Sequence, residues 1–380
     1  MYVAIFVAAI VAVIMFHEFG HFATAKLFGM KCEKFFLGFG PTLWSVRRGE
    51  TEYGVKAIPA GGFVKIIGMS AYEEVDTADA DRTFYSKPAW QRAIVLTAGS
   101  ATHFIVAIVL LFAALAFIGL PRTNGIDAVV PGSPAAAAGL RAGDEIVAID
   151  GRPVDRFSEV QEVVRASAGE AVDLEVMRAG ERVRLETVLA TEQPDGRPGG
   201  FLGIRPAEII EPVPPGRALI GTVSGDYSIV SITAATIEGL GRILSPEGLA
   251  RWFESVDDTG PRDPEGLISL IGVGQTVNAL GAQGEFFVIL LVLAQLNITL
   301  GLVNMLPLPP LDGGHLAVLV VEESVNGAHR LRGRSRDRDR WRLDPSVIAP
   351  LTLAVILFFV VIGVTALWMD ITRPVSDLFQ

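Results

Sequence analysis

The chain has a single cysteine, Cys32, in 380 residues. No intrachain disulfide can form, and a cysteine-based zinc set is excluded. Lysine is confined: all six lie between Lys26 and Lys87. None occurs from Pro121 to Glu285, a stretch rich in acidic residues. Charged residues make up only 19% of the chain against 50% hydrophobic, with a net charge of −10. With a mean hydropathy of +0.44, the chain is too apolar for a soluble protein of this length. It reads as an integral membrane protein with polar inserts.

Four stretches have membrane length: Tyr2–Phe28, Ile94–Ile118, Phe286–Leu306 and Val347–Trp368. About 20 apolar residues suffice to span a bilayer. The first has no basic lead-in and no small-residue cleavage site, so it reads as a retained span rather than a signal peptide. The lysines, and the arginines at 330, 332, 334, 336, 338, 340 and 342, place residues 28–93 and 322–346 on the cytoplasmic side. Residues 121–285 and both termini then lie outside. The arginine tract is a topology signal with anionic-lipid contact rather than a nucleic-acid patch.

Within the first span stands His17-Glu18-Phe19-Gly20-His21. Histidines four apart share one helix face and can reach one Zn²⁺, and the intervening glutamate suits proton abstraction from a water at the metal. Such residues are costly at membrane depth unless a function holds them there. The alternative is a chance match, with both imidazoles packed as core. Near the end of the third span, Asn304 through Pro310 lead into Leu311-Asp312-Gly313-Gly314-His315. The prolines break the helix and the glycines free the backbone beyond it, turning Asp312 back towards the histidines. A catalytic zinc takes three protein ligands plus water, so Asp312 completes a His₂Asp set. The alternative is an aspartate that caps a helix at the membrane surface. His315 reads as a membrane-surface histidine.

The segments between carry further signals. Residues 35–41 are apolar and glycine-rich, followed by strand-like Thr42–Ser45 and Tyr53–Ile58 around a turn at Arg47–Glu50. A β-hairpin beside the metal would pair its edge with an unwound substrate strand, with Gly38 and Gly40 among the contacting positions. A plain cytoplasmic hairpin is the alternative. Residues 121–206 alternate with period two and carry Val130–Leu140 and Gly143–Gly151, which resemble a bacterial PDZ domain. Ile229–Leu244 suits an amphipathic helix, and Ser255–Glu265 an acidic loop.

Taken together, these motifs resemble the bacterial site-2 proteases, the intramembrane zinc metalloproteases that include the regulator of sigma-E protease, in a single-PDZ form. The resemblance implies a polytopic α-helical membrane protein of four spans, with a membrane-associated β-hairpin and an inserted α+β PDZ domain. The segments are then spans at 1–28, 94–120, 286–315 and 347–370, a hairpin region at 29–93, a PDZ domain at 121–206, an outer linker at 207–285, a basic cytoplasmic loop at 316–346 and an outer tail at 371–380. It implies one zinc held by His17, His21 and Asp312, with Glu18 as general base and Asn304 on the substrate backbone. It also implies transmembrane substrates of the anti-sigma-factor kind, cut in a bacterial plasma membrane after an upstream site-1-type protease. Span two departs from the family's Gly-Pro…Asn pattern and reads Ala98-Gly99-Ser100-Ala101-Thr102-His103. His103 is open to three readings: a substrate contact, a further ligand, or a hydrogen bond between spans. A zinc transporter and a non-proteolytic PDZ scaffold remain the competing classes.

Overall fold

The computed structural model describes the chain except residues 1, 70–72, 123–124, 155–156, 193–197, 207–208, 226, 258–265, 333–340 and 375–380. Two compact units emerge, one of residues 1–113 with 219–380 and the other of 114–218. Among the described residues, four helices are long and apolar enough to cross a membrane.

The first unit opens with α1 (Tyr2–Leu27), followed by the long strands β1 (Cys32–Arg48) and β2 (Thr51–Ile66). The sheet is more than the hairpin expected. Thr42 through Arg48 pair with Thr51 through Lys56 around a turn at Gly49-Glu50. Lys34 through Leu37 then pair in step with Glu52 through Val55 on one side. On the other they pair in reverse with Gly62 through Lys65. Each long strand thus folds over and contributes twice. The bends fall where glycine permits positive φ: Gly38 at 86° and Gly40 at 83° in β1, Gly61 at 140° in β2.

Next comes α2 (Ala89–Ala113), which continues as one π-type turn to Ile118. After the insert, α5 (Pro215–Val223), α6 (Ile229–Ile243), α7 (Pro246–Asp257) and α8 (Leu270–Gln283) precede α9 (Phe286–Asn304), α10 (Asp312–Leu331) and α11 (Pro345–Thr372). The expected amphipathic helix is α6, begun by a Ser228–Ser231 capping box. Two corrections follow. The stretch expected as a linker is mostly helical among its described residues: α8 lies on α1, where Gly274 and Gly281 make room for Phe6 and Tyr2. Small residues hide such packing from a hydropathy reading. Likewise the basic loop starts as helix, since α10 continues to Leu331 on an apolar stripe that includes buried Leu319. Arg334, Arg336, Arg338 and Arg340 fall outside the described residues, as does most of the Ser255–Glu265 loop, whose first residues belong to α7.

The second unit is built around a four-stranded sheet, ordered β6-β5-β7-β8. Its strands are β5 (Glu145–Ile149), β6 (Arg152–Pro153), β7 (Ala171–Arg178) and β8 (Glu181–Val188). Three strand pairs surround it: β3 (Leu120–Arg122) with β12 (Ile209–Glu211), β4 (Ile126–Val129) with β11 (Ile204–Pro206), and β9 (Ala190–Glu192) with β10 (Pro198–Phe201). Helices α3 (Pro134–Ala138) and α4 (Phe157–Ala166) complete it. The core is aliphatic, with Ile126, Ile146, Ile149, Val172, Leu174 and Leu189 buried. A groove runs between α4 and Phe201–Pro206, as in a PDZ domain.

Candidate metal centre

Helix α1 runs unbroken to Leu27, so His17 and His21, four residues apart, fall on one of its faces. Their Nε2 atoms stand 3.2 Å apart. The Asp312 Oδ2 atom, from the first residue of α10, is 3.4 Å from one and 3.5 Å from the other. These three atoms form a nearly equilateral triangle. A tetrahedral zinc with arms of about 2.0–2.1 Å has ligand–ligand edges of about 3.3 Å, so the donor set fits that ion in both chemistry and size. Side-chain exposures of 13%, 12% and 18% leave the group largely shielded.

The surroundings orient these donors. His21 Nδ1 donates to the Val95 carbonyl at 2.7 Å, which fixes the tautomer and leaves the Nε2 lone pair towards the triangle. Ser100 Oγ donates to Asp312 Oδ2 at 3.2 Å. Both supports come from α2. That helix can lie so close only because two positions lack a side chain. A Cβ on Gly99 would stand 2.2 Å from His21 Nε2, and one on Gly20 would stand 2.5 Å from the Ala98 carbonyl oxygen.

Asp312 is carried in by a tight link. Helix α9 ends at Asn304, the Pro309–Pro310 bond is cis, and α10 starts at Asp312 itself. A carboxylate in a first helical turn is favoured by the helix dipole. The expectation that Gly313 and Gly314 free the backbone is corrected: both are buried and helical. They are small because a Cβ there would strike the Met305 carbonyl oxygen at 2.2 Å and the Leu308 carbon at 2.5 Å.

The remaining sequence candidates occupy different places. Glu18 lies on α1 against β2, where a Cβ on Gly62 would stand 2.9 Å from its Cγ. Asn304 is half-buried at the end of α9, with no side-chain hydrogen bond to the described residues. His103 is buried, its ring 5.1 Å from that of His17 and its Nδ1 3.3 Å from Asn297 Oδ1. The Asn297 amide donates to the Leu293 carbonyl, which turns Oδ1 towards His103. The metal-ligating cluster contains His17, His21 and Asp312 without His103. Gly38 and Gly40 sit at the bend of β1, and His315 is exposed one turn beyond Asp312. Sequence reasoning assigned no role to Gly99, Ser100, Gly62 or Asn297. The adjacent small residues of Ala98-Gly99-Ser100 were the available signal for a close helix crossing.

Comparison with known proteins agrees with this arrangement. The model of peptidase family M50 matches residues 5–334. Zinc metalloprotease Rip1 of Mycobacterium tuberculosis is 35% identical, covering 100% of this chain and 98% of its own. The Mycolicibacterium smegmatis protein of the same name is 33% identical over the same shares. Among solved structures, the PDZ domain of an SdrC-like protein from Listeria monocytogenes is 21% identical, covering 23% of this chain and 90% of its own, at a TM-score of 0.21. At that score the likeness carries no weight, and the insert is identified by its own strand order and groove. With the family match spanning most of its length, the chain belongs to peptidase family M50.

Proposed function

We propose that this protein is a zinc-dependent intramembrane endopeptidase that cuts transmembrane segments of single-pass membrane proteins. The observation that carries the proposal is the His17–His21–Asp312 triangle, with edges of 3.2–3.5 Å, on helices long and apolar enough to lie in a bilayer. His17 and His21 would hold the ion from α1, and Asp312 would hold it from α10. When bound, zinc supplies Lewis acidity that polarises a carbonyl and lowers the pKa of water to about 7.

Glu18 accepts the proton of the attacking water and returns it to the leaving amine. Gly62 keeps the β2 backbone against Glu18, so the strand Gly62–Ile66 lies beside the reacting groups. A helical substrate must unwind before its carbonyls can react, and that strand offers main-chain hydrogen bonds to the opened segment. Asn304 supplies a free amide for the substrate backbone. His103 is held by Asn297 and joins α2 to α9, supporting its reading as a hydrogen bond between spans.

The lysine and arginine distribution supports an orientation with the metal near the cytoplasmic face and the PDZ domain outside, in this reading in a bacterial plasma membrane. Substrates of the anti-sigma-factor kind then require prior trimming by a site-1-type protease, with the PDZ domain screening out bulky ectodomains. The test is cleavage of a single-span peptide in detergent by wild type and Glu18→Gln. The variant should keep zinc and lose cleavage by about 10²–10⁴-fold. Near-normal cleavage by the variant would remove Glu18 from this role. No cleavage by zinc-loaded wild type would favour the scaffold or transporter classes.

A further inference from the structure

Glu50 forms the turn of the β-sheet together with Gly49, whose φ is +61°. A two-residue turn with glycine first is a common hairpin closure, and it demands no acid at the second place. Here the acid is engaged from two sides. Arg82 grips the carboxylate with both terminal nitrogens, Nη2 at 2.8 Å from Oε1 and Nη1 at 2.8 Å from Oε2. Lys26 pairs with the same Oε1. The network extends through Asp79, which pairs with Lys31 at 2.5 Å and lies 3.7 Å from Arg82. Beside the turn, buried Thr51 donates to the Cys32 carbonyl at 2.7 Å. A lone exposed ion pair contributes little, whereas a bidentate arginine within a network holds geometry.

Lys26 belongs to the last turn of α1, the helix that carries His17, Glu18 and His21. The same helix touches β2 again at Gly62, against Glu18. Helix α1 therefore meets β2 along its length: by charge where the strand begins, by the Phe22–Tyr53 ring contact at 5.9 Å, and at Gly62 beside the reacting groups. Those packing contacts are non-directional, and the two-sided grip on Glu50 adds a directional restraint at the turn end of the sheet.

We propose that the Glu50–Arg82–Lys26 clamp is a positioning device that fixes the edge strand Gly62–Ile66 against the metal ligands and so determines which peptide bond is cut. The inference rests on the peptidase reading above. A strand added to that edge advances by about 3.3 Å per residue, so a small tilt presents a different carbonyl. The Arg82 guanidinium holds the Glu50 carboxyl down at about 2, so the clamp stays charged throughout the neutral range.

The experiment maps cut sites on a single-span peptide by mass spectrometry, using the full-length protein in detergent. Wild type should cut one principal bond. Glu50→Gln should keep its zinc and thermal midpoint, cut several neighbouring bonds, and lose about tenfold in rate at the original bond. The reciprocal pair Glu50→Arg with Arg82→Glu should restore a single cut. Arg82→Lys, which keeps charge without the fork, should scatter less. Amide exchange across Gly62–Ile66 reads the same clamp without cleavage, and it should quicken in Glu50→Gln and recover in the reciprocal pair. An unchanged cut pattern in Glu50→Gln overturns the proposal, as does unchanged exchange. Loss of zinc or folding that the reciprocal pair fails to restore also overturns it. A wild type that cuts nothing, with exchange behaving as expected, overturns the peptidase reading and leaves the clamp standing.

Discussion

Around the metal ligands glycines bring backbone up against neighbouring backbone and against the ligand side chains, whereas the PDZ domain is centred on a cluster of large aliphatic side chains. Gly20, Gly99, Gly62, Gly313 and Gly314 all stand where a Cβ would meet another atom at less than 3 Å. The insert has two such glycines, Gly200 against Val164 and Gly203 against Ser133, but its core is the aliphatic cluster of Ile146, Ile149, Val172, Leu174 and Leu189. The difference follows from the solvent. Water drives large apolar side chains together, but lipid tails are as apolar as leucine and give helices no such reason to associate. Close contact and polar pairing must hold the membrane unit instead, as in His103–Asn297 and His21–Val95. The arrangement also suits chemistry, because a glycine interface lets α2 reach His21 with a carbonyl and Asp312 with a hydroxyl.

This contrast can be broken from either side. The largest effect is expected at Gly99. Its Cβ in Gly99→Ala would meet His21 Nε2 at 2.2 Å, so the imidazole must leave the triangle. Zinc content should fall to near zero and cleavage with it, by about 10² or more. Normal zinc in Gly99→Ala would show that the helices can part without cost. Leu174→Ala removes a fully buried side chain from the insert. It should destabilise that domain by about 2–5 kcal/mol in chemical denaturation and leave zinc content unchanged. A parallel loss of zinc would mean that the two packing modes are coupled.

Third is Asp144, buried and gripped by Arg178 Nε and Nη2, each at 2.7 Å. The guanidinium holds its carboxyl below the usual aspartate range. A depressed folded value stabilises above the unfolded value of 3.8 and is lost as pH falls through the folded one. The insert should therefore lose this contribution only in acid, below about pH 4. Asp144→Asn should cost about 1–3 kcal/mol at neutral pH and flatten that acid slope. An unchanged slope would exclude the pair as its cause. The smallest effect belongs to Ser100→Ala, which removes one donor to Asp312 and should weaken zinc binding several-fold, about 1 kcal/mol. No change in affinity would make Ser100 a packing residue.

The same contrast explains what was legible in the sequence. The four spans stand out because a mostly apolar run of that length has one reading. His17, Glu18, His21 and Asp312 stand out because polar residues there need a reason. The PDZ strands declare themselves by alternation. What stayed hidden depends on glycine, which carries no periodic signal: the α8–α1 contact through Gly274 and Gly281, and the α1–α2 crossing at Gly20 and Gly99. The doubled sheet was hidden for the same reason, since nothing in the sequence marks Gly38, Gly40 and Gly61 as the places where the strands bend. Helix α10 was masked by the arginines that follow it. Val95 orients His21 through a backbone carbonyl, which no residue type announces.

The central claim is that two helices jointly hold one zinc ion through His17, His21 and Asp312. Zinc bound per chain, measured on the purified full-length protein and on Asp312→Ala, tests it most directly. The account predicts one zinc in wild type and little or none in Asp312→Ala under the same dialysis. One tightly held zinc in Asp312→Ala would contradict it.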